Sequence, residues 1–162
     1  MPAILDAALV EGAFALSRPA IATLLRDAMP GRSGVAVVVA ATPAVDPAFN
    51  STGEAFRRAC YLVDVVGNLE SSPYPNIEIA LAKAELSART GRPTAGLPPH
   101  YLRAGDTPYW GSAVLDGIVV ACAGLEPRHD EMIAHWIAAA VQAEARRAFD
   151  AGTAADPARD FV

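Results

Sequence analysis

Lys83 and Arg92 are the first residues in this chain that invite a chemical reading. They lie in and just after a helical stretch, IEIALAKAELSARTGRPT, in a sequence otherwise poor in charge. A lysine in mid-helix most often snorkels, its stem covering apolar surface while the ammonium stays in water. The functional alternative is that Lys83 and Arg92 converge on an anionic group, with the planar fork of Arg92 gripping a carboxylate bidentately. Arg92 is equally suited to bonding carbonyls at the helix C-terminus. Downstream, the turn-rich segment RPTAGLPPHYLRAGDTPYWG puts His100, Tyr101, Arg103, Tyr109 and Trp110 in one loop. Aromatics there would supply area, and the cation orientation, for a flat or anionic ligand. The same residue types mark subunit interfaces, and a pocket at a subunit boundary uses both properties.

His129, Asp130 and Glu131 suggest a metal or acid–base group. His129 and His135 are separated by roughly 240° around a helix, so they do not share a zinc face as i, i+4 histidines do, and no metal site follows. Asp130 and Glu131 suit the positive end of a helix, and Glu131 pairs by spacing with His135. An acid–base reading survives: Arg92 or Arg103 holds the carboxylate of an organic acid, and His129 or Tyr101 shuttles a proton. The chain has no Gly-x-Ser-x-Gly elbow, no Gly-x-Gly-x-x-Gly and no P-loop, which argues against a serine triad and against nucleotide cofactors. Cys60 and Cys122 each fall in an apolar strand-like run and read as two buried reduced thiols.

Several elements must position these groups. Residues 4–16 and 19–29 read as two helices, with Ser17 capping the second and Pro19 in its first turn. GVAVVVAAT, residues 34–42, is a buried strand, being β-branched and too short to span a membrane as a helix. Residues 43–58 form a surface excursion with a possible capping box from Ser51 to Glu54. Residues 59–66 make a second strand. The helix quoted above follows, with Ile77, Leu81, Ala84 and Ala88 as its inner stripe. Asp116-Gly117 between alternating apolar runs signals a two-residue hairpin. A last helix spans about residues 128–149, and the remainder reads as a tail. The order predicts one α+β domain over residues 1–150, an antiparallel sheet of at least four strands between helical layers, with a tail at 151–162.

Composition bounds the partners. A net charge of −5 and no cluster of Lys and Arg with aromatics exclude a nucleic-acid footprint. Asp6 and Glu11 within the first apolar stretch, and no basic segment before it, argue against a signal peptide or membrane span and for a cytoplasmic protein. Hydrophobic residues make up 52% and charged residues 19%, a surplus of apolar surface that predicts a homo-oligomer, a dimer or other even-numbered assembly.

AKAELSARTGRPT, then the VLDGIVVACAG hairpin, then Asp130-Glu131 opening the last helix resembles the GlcG/HbpS family, over residues 63–148. The resemblance implies a three-layer, profilin-like fold with about five antiparallel strands, usually assembled as a homo-oligomer. It also implies haem or corrinoid association in some members and a link to small hydroxy acids or diols in others. A haem here would be non-covalent, since no Cys-x-x-Cys-His is present, its axial ligand coming from His100, His129 or His135, or from a Met, Tyr or Cys, with His100 on the loop the most accessible. Three family features differ: residues 43–58 replace the usual Asp-Gly-Gly-type hairpin between the first two strands, PYWGSA stands where relatives carry Gly-Gly-x-Pro, and their Ser-Gly after the last strand is Leu125-Glu126 or Ala123-Gly124 here, depending on register. The expected function is binding of a small ligand; the alternative is an isomerase, tautomerase or lyase acting on an organic acid.

Overall fold

The computed structural model describes residues 4–155. In chain order its elements are α1 (Ala7–Ala28), β1 (Gly34–Ala41), a 3-10 turn at Pro47–Phe49, α2 (Gly53–Ala59), β2 (Leu62–Gly67), α3 (Asn76–Thr90), a 3-10 turn at Pro99–Tyr101, β3 (Ser112–Leu115), β4 (Ile118–Ala123) and α4 (Pro127–Ala155). The strands form one antiparallel sheet in the order β2-β1-β4-β3. Among the described residues the sheet therefore has four strands, as the residue pattern predicts, and not the five of the family resemblance.

Both faces of the sheet are covered, which is why β1 is buried at all eight positions and reads as an unbroken apolar run. Val35, Val37 and Val39 face α1 and α4, in a cluster with Phe14, Ile21, Val120, Ile133 and Ile137. Ala36, Val38 and Ala40 face the opposite way, onto Ala80, Ala84 and Ala88 of α3 and onto Phe49 and Phe56. Alternation with period two sends successive side chains of β1 into different layers. Small residues on both sides of the second interface suit close packing of α3 on the sheet.

The hairpin forms as expected. Asp116 and Gly117 both have positive φ, 48° and 83°, as a type I′ turn requires. Gly91 caps α3 at φ 65°, its N–H donating to the Ser87 carbonyl, the αL ending that glycine favours.

Four expectations are corrected. The N-terminal pair of helices is one helix, α1, with Pro19 inside it. Pro19 lacks the N–H that would reach the Ala15 carbonyl, a loss worth roughly 3 kcal/mol in a helix interior. Both residues are on the exposed side, where water can serve that carbonyl, while Val10, Phe14, Ser17 and Ile21 stay buried on the other. Ser17 is thus a core-facing residue and not a cap. The capping box does not form either: Thr52 is the N-cap of α2 without a side-chain bond, Ser51 donates to the Ala48 carbonyl, and Glu85 of α3 takes the Gly53 N–H. The second strand starts at Leu62, because Ala59 ends α2 and Cys60 is that helix's half-buried C-cap; only Cys122 lies in a strand. The last helix continues to Ala155, past the start of the expected tail, and residues 156–162 lie outside the described residues. Helix α1 is long and apolar enough to cross a membrane by length and composition; here it packs on α4 and β2.

Candidate functional site

The sheet layers meet at one end, where β4 stops and turns into α4, and that junction holds the most unusual side chain in the molecule. Lys83 projects from α3 and is only 2% exposed. Its Nζ donates to the Cys122 carbonyl at 2.7 Å and to Asp130 Oδ2 at 3.2 Å. Asp130 belongs to the first turn of α4, on the other side of the sheet, and is equally buried. Its second oxygen accepts the Leu125 N–H at 3.1 Å. Burial raises the Asp130 carboxyl above the usual carboxylate range, against the lowering effects of Lys83, the Leu125 N–H and, more weakly, Arg32.

A cavity of about 240 Å³ opens onto this pair. Arg32, Tyr74, Asn76, Ile79, Tyr109 and the segment 123–127 contribute to its wall. Asn76 opens α3 and is anchored by its side-chain amide donating to Ser72 at 2.7 Å. Arg32 is exposed and makes no ion pair among the described residues. Gly111, just before β3, is what lets the two layers touch: a Cβ there would stand 2.6 Å from Asp130 Cβ and 3.0 Å from Lys83 Nζ.

Beside the pair lies a buried hydroxyl cluster. Ser112 Oγ is within 2.8 Å of Ser87 Oγ and 2.9 Å of Thr94 Oγ1, and Thr94 Oγ1 accepts the Gly111 N–H at 3.0 Å. These bonds hold residues 94 and 111 together at the base of the aromatic loop. Arg89 fastens the loop's far side, donating to Asp106 at 2.6 Å and to the Tyr101 carbonyl at 3.2 Å. A second, smaller cavity of about 130 Å³ lies under the loop between Leu86, Leu97, Leu102 and Tyr109.

The structure divides the residues singled out in the sequence. Lys83 and Tyr109 line the larger cavity. Arg92, His100 and Tyr101 form a separate surface group, with the Arg92 guanidinium 5.1 Å from the Tyr101 ring centre and the His100 ring 5.0 Å from the same ring. Arg103 and Trp110 are exposed. His129 neighbours Asp130 in sequence, yet its Nδ1 lies 3.9 Å from Glu126, without a hydrogen-bond partner. Lys83 is not the solvated or snorkelling lysine that a mid-helix position suggests, and Arg92 does not join it in either cavity.

In the sequence Asp130 reads as part of an acid–base group but is assigned to the helix dipole, and Arg32 and Asn76 are not singled out. The pairing of Lys83 with Asp130 spans 47 positions, and no local pattern announces it. A signal for Lys83 itself was present in the composition: all 13 Lys and Arg residues are arginine except this one.

No family model, curated protein or solved structure matches this chain.

Proposed function

We propose that this chain is a small-ligand-binding protein of the GlcG/HbpS type with a profilin-like fold, and that its ligand is a small organic acid. The supporting observation is the cavity at the end of the sheet, where two cations, Lys83 and Arg32, face one carboxylate, Asp130, beside two tyrosines and an apolar wall. That excess of positive charge favours an anion. The volume, about 240 Å³, is below the 300–1,000 Å³ of sites for drug-sized ligands, so the ligand has few carbon atoms. A histidine-ligated haem gains no support from these two cavities: neither is lined by a histidine, and His100 stands on the surface.

The isomerase, tautomerase or lyase alternative gains one argument at the same place. Asp130, with its carboxyl raised by burial beside Lys83, is better suited to moving a proton inside a cavity than His129 or Tyr101.

We further place the chain in the cytoplasm as a homo-oligomer, on the strength of its free thiols and the exposed side chains of Leu16, Tyr109, Trp110 and Trp136. The test of ligand binding is an amide-shift titration with lactate and pyruvate. Binding moves Gly111, Gly124 and Leu125, and Arg32→Ala weakens it at least about tenfold, the lower end of the loss of a charge-assisted bond worth roughly 1.5–3 kcal/mol. Unmoved amides at millimolar acid would reject the reading.

A further inference from the structure

Every cationic side chain of this protein is an arginine except the one buried in the cavity. If the site needed only a fixed positive charge, arginine would serve, since its guanidinium stays protonated in proteins. A lysine adds the ability to become a neutral, nucleophilic amine. Lys83 is placed for this. Of its three Nζ positions two are engaged, by the Cys122 carbonyl and by Asp130, and the amine lines a cavity that a small molecule can enter. Asp130 lies within hydrogen-bond reach to take a proton from it.

We infer that Lys83 captures the carbonyl group of a small 2-oxo acid as an imine in this cavity, with Arg32 holding the carboxylate and Asp130 relaying protons. This deepens the proposed function and rests on it, because the acid must first bind there. The ammonium gives a proton to the Asp130 carboxylate, and rotation about the Cε–Nζ bond turns the freed lone pair toward the ligand. Nitrogen forms a bond to the carbonyl carbon while the π pair of C=O moves to oxygen. Asp130 protonates that oxygen and takes a proton back from nitrogen, which leaves a neutral carbinolamine. A second proton from Asp130 then goes to the hydroxyl, which departs as water as the nitrogen lone pair forms C=N. The products are a protonated imine, water and the Asp130 carboxylate, so charge and atoms balance without an oxidant or reductant. The iminium would draw electrons from the adjacent carbons, which suits the isomerase or lyase class of chemistry.

Reductive trapping tests this directly, because the chain offers one lysine and one terminal amine. The full-length protein is incubated with pyruvate and sodium cyanoborohydride, and intact mass and peptide mapping are read. The expected result is a single adduct on Lys83, heavier by one pyruvate less one oxygen atom, suppressed by excess lactate and formed about tenfold more slowly in Arg32→Ala. A native protein labelled only at the terminal amine, while urea-unfolded protein is labelled at Lys83 under the same conditions, overturns the inference. Amide shifts at Gly111 and Gly124 separate the two proposals: shifts with pyruvate but no adduct reject imine formation and leave acid binding in place, whereas no shifts and no adduct reject both. Arg32→Ala alters an exposed residue, so its slower trapping does not depend on a variant that disturbs the core.

Discussion

Replacing Lys83 by methionine keeps an unbranched stem of similar length and removes only the charge and its hydrogen bonds. The bond to the Cys122 carbonyl, at 2.7 Å, is a charge-assisted one worth roughly 1.5–3 kcal/mol. Breaking a buried ion pair by removing one partner costs about 3–5 kcal/mol, mostly the penalty of the charge left behind. Here that charge is Asp130, whose carboxyl burial already raises, and it can escape the penalty by taking a proton. The expected loss is therefore about 3 kcal/mol near neutral pH. In urea unfolding followed by circular dichroism that is a midpoint lower by about 1–3 M. The pH dependence has a fixed sign. Asp130 binds its proton more tightly in the folded chain than in the unfolded one, so its contribution is fully present below the ordinary value of 3.8 and is lost as pH rises through the raised folded value. Without Lys83 both of that residue's lowering effects on Asp130 vanish, and the window moves higher still. The penalty of Lys83→Met should thus shrink on acidification, and the double variant Lys83→Met/Asp130→Leu should be more stable than either single one. A penalty that grows on acidification, or single variants that each cost under about 1 kcal/mol, would refute the coupling.

Gly111→Ala places a methyl 2.6 Å from Asp130 Cβ at φ 134°, and calorimetry should show a loss of roughly 2–4 kcal/mol from overpacking and backbone strain. Arg89→Ala unfastens Asp106 and the Tyr101 carbonyl; limited proteolysis should then cut within residues 97–108 much faster, while hydrogen exchange in β1 and β4 stays slow. Burial pushes the Cys60 thiol up to about 12 and the fully buried Cys122 thiol well above its usual range, so both should react sluggishly with Ellman's reagent at pH 8 in the native chain and rapidly once unfolded. Light scattering of the purified protein at micromolar concentration should return a mass well above 16.9 kDa, and a monomer mass would leave Leu16, Trp136 and their exposed neighbours to be explained otherwise.

Much of the fold was legible because its signals are local. Asp116-Gly117, the Gly91 stop and the β-branched run of β1 each specify their own backbone within a few residues, and the structure follows them. The misreadings arose where a distant partner overrides a local rule. Pro19 looks like a helix boundary until Phe14 and Ile21 are seen anchoring the same helix face in the core, with Arg18 stacked on the Phe14 ring and paired with Asp64 of β2. Ala59 and Cys60 look like strand because they are apolar, yet Phe56 packs against Phe49 and holds that segment helical. On α3 the stripe of Ile77, Leu81, Ala84 and Ala88 was visible by its period, but the buried arc is wider and includes Lys83 and Ser87. Its extra width comes from the start of β3 and residue Thr94, which close over the helix through Ser112 and Gly111.

That wider arc explains why the candidate site lies where it does. Lys83 and Asp130 belong to helices on opposite faces of a sheet whose central strand is buried throughout, so they can meet only beyond the sheet's end. There β4 gives way to Gly124 and Leu125, and β3 has not yet begun. Gly111 supplies the opening, since any larger residue would collide with both partners. The Cys122 carbonyl, already at the strand's end, accepts from Lys83 and so steers the amine toward the α4 side. A buried ion pair is weak evidence for stability, because well-packed apolar residues often do as well or better. A chain that gives its sole lysine and a buried aspartate to this opening, with a cavity against them and in the same wall an arginine that makes no ion pair among the described residues, gains little stability that leucine and methionine would not provide. What the pair adds is an amine and a carboxyl group at the wall of a cavity of about 240 Å³, and on the proposed reading that arrangement serves binding or catalysis more than stability.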